Sequence, residues 1–222
     1  MLKKKFVKDY LEPIIVAVLI ALFIRAFVVQ AFKIPSGSME PTLLVGDYLV
    51  VNKFIYGIRI PYTDVKLFQF KKPRRGDIIV FIFPLDPSKD FIKRVIGTEG
   101  EKVEILRNEI YINDKLIQDR WGYFGTDDFP RGFVQRMENF GPVVVPKDSL
   151  FVLGDNRNNS EDSRFWGFLN VNAVLGKAMI IYFSWDWNAP NFLDQVRWSR
   201  IGKLIHSPAV LMKRHRPRCR EE

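Results

Sequence analysis

Histidine, the usual general base of a hydrolase, occurs only twice in this chain, as His206 and His215 near the basic C-terminal end. A Ser-His-Asp triad would need one of them folded back into the core, and no Cys or His cluster suggests zinc. A hydrolase built here needs a different base, and a serine paired with a lysine is the known alternative. Three stretches hold residues suited to that chemistry. In Ile34-Pro35-Ser36-Gly37-Ser38-Met39-Glu40-Pro41-Thr42, proline and glycine shape a tight bend with a serine on each side of the glycine. A nucleophile on such a bend is exposed, with backbone N–H groups near enough to hold an oxyanion. In Asp90-Phe91-Ile92-Lys93-Arg94-Val95-Ile96-Gly97, a lysine lies inside an apolar strand pattern, sharing a face with Phe91 and Val95. Burial lowers the pKa of such a lysine, which can then take a proton from a hydroxyl. The third stretch, Gly154 to Arg164, gathers Asp155, Arg157, Ser160, Asp162, Ser163 and Arg164 after the apolar run Leu150–Leu153. Such a set can form a fixed polar network around a site. Each stretch also has a plain structural reading: a loop, a lysine that snorkels or pairs with an acid, and a solvated polar loop.

These stretches must be positioned by the rest of the chain. An apolar run from Ile14 to Phe32 follows Lys3, Lys4, Lys5 and Lys8, with Pro13 where a first helical residue tolerates proline. As a helix it would measure roughly 28 Å, close to the hydrocarbon thickness of a bilayer. Arg25 interrupts it in the second half, where its stem can snorkel toward headgroups. A buried core helix and a cleaved secretory signal, with small residues at Val29 and Ala31, are the other readings. The lysine cluster places the N-terminus in the cytoplasm, so everything after Phe32 lies across the membrane. The expected division is 1–10 cytoplasmic, 11–32 transmembrane anchor, 33–206 catalytic domain and 207–222 basic tail.

After residue 40 short apolar runs alternate with turn signals, which predicts mainly β structure built from antiparallel sheets. Gly46-Asp47 and Gly76-Asp77 launch strands at Tyr48–Val51 and Ile78–Phe83. Lys102–Leu106 and Glu109–Ile112 flank Arg107-Asn108 as a hairpin, and Asn113-Asp114 is the next turn. Val143–Val145, Leu150–Leu153 and Ala178–Phe183 are further strands, while 55–75 and 118–141 are loops. The lone cysteine, Cys219, cannot form an internal disulfide. The net charge of +9 suits an anionic membrane surface or a nucleic acid and does not choose between them.

Taken in order, the three stretches resemble the motifs of type I signal peptidase, the bacterial leader peptidase family, with a further block at Arg75-Gly76-Asp77-Ile78-Ile79-Val80-Phe81. The likeness runs from the anchor to about Gly202. The departures are small: Glu40 stands at an apolar or variable motif position, and Asn158 replaces a frequent acid. The resemblance implies Ser38 as nucleophile and Lys93 as general base. It implies that Ser36 shares the oxyanion hole with the Ser38 N–H and that Ser160 orients the Lys93 ammonium. Asp155, Arg157, Asp162 and Arg164 would brace the site. Phe32, Ile34, Leu43, Leu49, Val80, Phe91 and Ile92 would line small apolar pockets for the −1 and −3 residues of an Ala-X-Ala type signal peptide.

The implied protein is a single-pass enzyme of the bacterial inner membrane with its catalytic domain outside the cytoplasm. Its partners would be preprotein signal peptides, membrane lipid and the secretion translocon, with no nucleic acid, cofactor or metal. Tyr182, Trp185 and Trp187 could dip into the outer membrane interface or pack as a strand with a wet end. Two other readings compete: a related Ser-Lys peptidase that processes other membrane or organelle proteins, and a basic module binding membrane surfaces or nucleic acid.

Overall fold

The computed structural model describes residues 10–59, 66–67, 70–125 and 138–205. A helix, α1 (Glu12–Phe27), leads into β1 (Val29–Lys33), β2 (Asp47–Asn52), β3 (Ile58–Arg59), β4 (Lys66–Leu67), β5 (Ile78–Ile82) and β6 (Asp90–Thr98). There follow β7 (Lys102–Leu106), β8 (Glu109–Ile112), β9 (Lys115–Leu116), β10 (Phe140–Val144) and β11 (Ser149–Leu153). After a one-turn helix, α2 (Ser163–Trp166), come β12 (Leu169–Asn170), β13 (Val174–Ser184) and a second short helix, α3 (Phe192–Gln195).

Every named strand pair is antiparallel. A seven-stranded sheet has the order β1-β2-β13-β5-β6-β11-β12, and a second sheet has the order β10-β7-β8-β9. The expected mainly β architecture is what forms. The hairpin signals act locally: Arg107 and Asn108 have φ of 49° and 66°, and Asn113 and Asp114 have φ of 50° and 63°. Two left-handed residues in a row give the primed turn whose twist matches the flanking strands. β3 and β4 pair within the stretch expected to be loop.

At the sheet centre β5 and β6 are buried on both faces. Their alternation divides the core in two. Ile78, Val80 and Ile92 pack with Ile34, Leu43 and Leu49, whereas Ile79, Phe81 and Val95 pack with Tyr56, Val152 and Leu169. Each such fully buried aliphatic side chain contributes about 2 kcal/mol from removal of apolar surface from water. A rigid centre of this kind holds Lys93, on β6, in a fixed direction.

The anchor differs from the sequence expectation. The helix stops at Phe27, and residues 29–33 form an edge strand pairing with β2 from Val29↔Asn52 to Lys33↔Tyr48. The β-branched pair Val28-Val29 favours extended backbone, and the new direction packs Phe32 against the core cluster of Ile34 and Leu49. α1 has 16 residues, about 24 Å of helix. No helix among the described residues is long and apolar enough to cross a membrane. Residues 1–9 and the tail 207–222, together with His206 and His215, lie outside the described residues.

Candidate active site

Ser38 lies in a single 3₁₀ turn, Gly37–Met39, between β1 and β2. Met39 and Leu43 are fully buried beneath it, so the turn is nailed to the core. Ser36 precedes the turn in extended backbone. The Ser38 N–H opens a helical turn, where the first amides have no intrahelical acceptor. Lys93 projects from the middle of β6 toward the same point. Its Nζ is 2.7 Å from Ser38 Oγ, although 55 residues separate the two. Both side chains are buried, Lys93 at 4% exposure and Ser38 at 8%.

Burial pushes the Lys93 ammonium down from 10.5 to about 8. Asp162, Glu161 and Asp155 push it back up, and Arg164 helps to lower it. Burial wins because the lysine is enclosed in the buried middle of β6; its Nζ lies 5.3 Å from the centre of the Phe91 ring. Phe91 does share the lysine's face, as strand alternation requires. The pair opens onto a cleft of about 330 Å³. Residues 35–38 form one part of its lining, residues 90–93 another, and Asn159 and Glu161 complete it.

The loop after β11 clasps the serine turn. Asn156 N donates to Ser38 O at 3.1 Å, and Asn156 Nδ2 donates to Gly37 O at 3.3 Å. Gly154 allows the approach: a Cβ there would lie 2.4 Å from Ser38 O and 2.2 Å from Ser160 Oγ. Asp162 caps α2 through the Arg164 N–H, accepts from Gly154 N at 3.1 Å, and is forked by the Arg164 guanidinium at 2.8 Å on each oxygen. Arg157 Nε donates to Gly154 O, and Arg164 Nη2 donates to Arg157 O. A bulge in the β11–β6 pairing frees Val152 N, which donates to Ser163 Oγ. Arg157, Asp162 and Arg164 therefore form one connected network through Gly154 on the loop that carries the Ser38 contact, and Asp155 joins it through the backbone of Tyr123, which donates to Asp155 O and accepts from Arg157 N.

The family model described as "Signal peptidase, peptidase S26" matches residues 7–185. This chain belongs to that family. It is 34% identical to the signal peptidase I of Pseudomonas aeruginosa, over 92% of this chain and 81% of that protein. It is 35% identical to the signal peptidase I of Aquifex aeolicus, over 75% and 80% of the two chains. It is 38% identical to the probable signal peptidase I-2 of a Synechocystis species, over 78% and 71%.

Within this member of the signal peptidase family, the structure brings together Ser36, Ser38, Lys93, Phe91 and Ile92 at one cleft. Ile34, Leu43, Leu49 and Val80 are packed into a core cluster with Ile92 and are absent from the cleft lining; Phe32 lies at that cluster's edge. They support the cleft from below. Ser160 is buried beside Gly154, but its hydroxyl has no hydrogen-bond partner among the described residues, Lys93 included. A buried hydroxyl left so costs about 1–3 kcal/mol.

Three residues of the network escaped the sequence reading. Arg94, fully buried, forks Asp155 at 2.7 and 2.6 Å, donates to Gly76 O and lies 4.4 Å over the Trp121 ring. Asp119 pairs with both terminal nitrogens of Arg157. Trp121 and Asp119 sit in a stretch expected to be loop, yet this stretch bonds to the site through Tyr123 N–Asp155 O at 2.7 Å and Arg157 N–Tyr123 O at 2.8 Å. The one available signal was Arg94 inside an apolar strand, alternating with Lys93. Among the described residues, no group of three His, Cys, Asp or Glu side chains could hold a metal ion.

Proposed function

We propose that this chain is a membrane-anchored serine endopeptidase that removes signal peptides from exported preproteins after small residues. One observation carries the reading: a serine hydroxyl 2.7 Å from a buried lysine amine at the end of a cleft. Neutral Lys93 accepts the Ser38 proton as Oγ bonds to the scissile carbonyl carbon. The Ser36 hydroxyl and the Ser38 N–H hold the resulting oxyanion. The C–N bond breaks as Lys93 returns the proton to the leaving amine. Lys93 then takes a proton from water, the hydroxide attacks the ester, and Ser38 leaves with the proton restored. The Ser160 hydroxyl, buried and without a partner among the described residues, receives the Lys93 ammonium as it forms.

The test is cleavage of a preprotein ending its signal in Ala-X-Ala by the detergent-solubilised chain. Ser38→Ala is expected to abolish cleavage, and full retention would overturn the mechanism. The working form of Lys93 is the neutral one, so kcat/KM is expected to rise with pH on a limb centred near 8. A limb centred near 6 would point to another base.

The anchor and lipid contact belong to the same proposal. Ile14, Leu19 and Leu22 of α1 are each more than half exposed, an arrangement suited to lipid and poorly suited to water. After β13, Trp187, Leu193, Trp198 and Leu204 are also exposed by more than half. Lys33, just after the anchor, lies 5.2 Å over the Trp187 ring. Trp185 is half-buried, whereas Tyr182 and, further, Trp187 are exposed. In proteoliposomes containing brominated lipid, Trp187→Phe is expected to remove a distinct part of the tryptophan quenching. Equal fractional quenching in parent and variant would place this surface away from lipid. The catalytic domain then faces the exterior of the plasma membrane, with the lysine-rich N-terminus inside and the secretion translocon as the neighbour that delivers substrate.

A further inference from the structure

The cleft is negatively charged, although the chain as a whole carries +9. Asp90 and Glu161 both line it, and both are exposed. Behind them Glu40 rests on the serine turn, with its carboxyl carbon 3.1 Å from where a Gly37 Cβ would be. Among the described residues, none of these three carboxylates forms a hydrogen bond or an ion pair. Partial burial pushes the Asp90 carboxyl up.

The nearby cations do not cancel this charge. Lys89 is within electrostatic reach of Glu161, but its Nζ is 2.8 Å from Asp86. Arg164 is buried and forked to Asp162. Among the described residues that line the cleft Lys93 is the one cation, and it works in its neutral form. Among the described residues, a peptide entering the cleft meets two unpaired acids in its lining, with Glu40 behind them, and no unpaired cation once Lys93 has given up its proton.

We propose that Asp90 and Glu161, with Glu40 behind them, make the cleft select substrates by charge, favouring a basic side chain over an acidic one within two residues of the cleaved bond. This rests on the reading of the cleft as the peptide-binding site and adds a substrate preference to it. An apolar pocket reads size, whereas these carboxylates read sign. An acidic substrate side chain would be held near carboxylates in a partly desolvated space, and a basic one would give them the partner they lack. Across about 8 Å of partly solvated cleft, one such charge changes kcat/KM by about tenfold.

The experiment uses the full chain in detergent and peptides of the Ala-X-Ala type. Alanine, lysine or glutamate is placed in turn at positions −2, +1 and +2. The expected result is a lysine-to-glutamate ratio in kcat/KM of about ten or more at one of these positions. Raising the ionic strength from about 0.05 M to about 0.5 M should compress that ratio in the parent protein. Glu161→Gln should reduce it, Asp90→Asn with Glu161→Gln should bring it near one, and Glu161→Lys should invert it. The ratio is internal to each variant, so a general loss of activity leaves it readable, and the salt series needs no variant at all. A parent ratio near one at all three positions overturns the inference, as does a ratio indifferent to both salt and Glu161→Gln. Failure of the underlying reading looks different: the parent would not cleave even the alanine peptide, or Ser38→Ala would cleave it equally well.

Discussion

Lys93→Met is expected to lower kcat/KM for signal-peptide cleavage by about 10⁴-fold and, at pH 7, to make the protein more stable. The first half follows from the proposed mechanism. Without an amine at 2.7 Å, the Ser38 hydroxyl has no base within reach and the leaving group has no acid. The second half follows from burial. A drop from 10.5 to about 8 means that folding disfavours the ammonium by about 3 kcal/mol relative to the unfolded chain. The sign is set by a lowered lysine pKa. Below about pH 8 the folded and unfolded chains both hold the proton, and the folded state carries the full cost. Between about 8 and 10.5 the folded state has released the proton while the unfolded state keeps it, so stability rises with pH. Above 10.5 both are neutral and the cost has gone. Methionine has nearly the same length and no charge, and Phe91 can receive its sulfur. It loses only the Ser38 contact. A net gain of about 2 kcal/mol at pH 7, shrinking toward zero near pH 10, is therefore expected from thermal unfolding across pH. Lys93→Arg should share the loss of activity without the gain, because arginine keeps its charge. A Lys93→Met protein less stable than the parent at pH 7 would show that the ammonium is well satisfied in the fold, and the argument for a neutral base would fall with it.

The sequence showed the chemistry more clearly than the walls around it. Ser38 and Lys93 stood out because a serine beside Gly37 and a lysine between Ile92 and Val95 break the local pattern, and breaks in pattern are visible in one dimension. The turns at Arg107-Asn108 and Asn113-Asp114 were visible for a related reason, since a two-residue hairpin needs residues that tolerate positive φ. Asp119 was invisible. It matters only because Arg157 reaches it across 38 residues, and no periodicity encodes such a pairing. The role of Gly154 was equally hidden, because the atoms that forbid a side chain there are the carbonyl oxygen of Ser38 and the side chain of Ser160. The anchor was misread at its end. Hydropathy alone cannot tell where an apolar helix yields to an apolar strand, and pairing of Val29–Lys33 with β2 decided it. The substrate-pocket residues show the same limit: Leu43, Leu49 and Val80 are apolar whether they face a ligand or the core, and they pack in one cluster with Ile92, which lines the cleft.

Arg94→Met is expected to cost about 3–5 kcal/mol of stability, the larger of the two folding effects argued here. Arg94 and Asp155 are both fully buried and joined by two short hydrogen bonds. Removing the guanidinium leaves the Asp155 carboxylate in the core with no partner for either oxygen, and it also strands Gly76 O and uncovers the Trp121 ring. The effect should reach the site, because Asn156 follows Asp155 and its N–H holds the carbonyl of Ser38. Chemical denaturation would measure the first effect and kcat/KM the second. A second substitution separates stability from positioning. In Arg94→Met with Asp155→Leu no charge remains to be buried, so much of the stability should return. Activity should not return with it, because Asn156 would still have lost the fixed neighbour that aims its N–H at the serine turn. Recovery of both together would mean that the ion pair serves only the fold. Recovery of stability alone would assign Arg94 and Asp155 to the placement of Ser38.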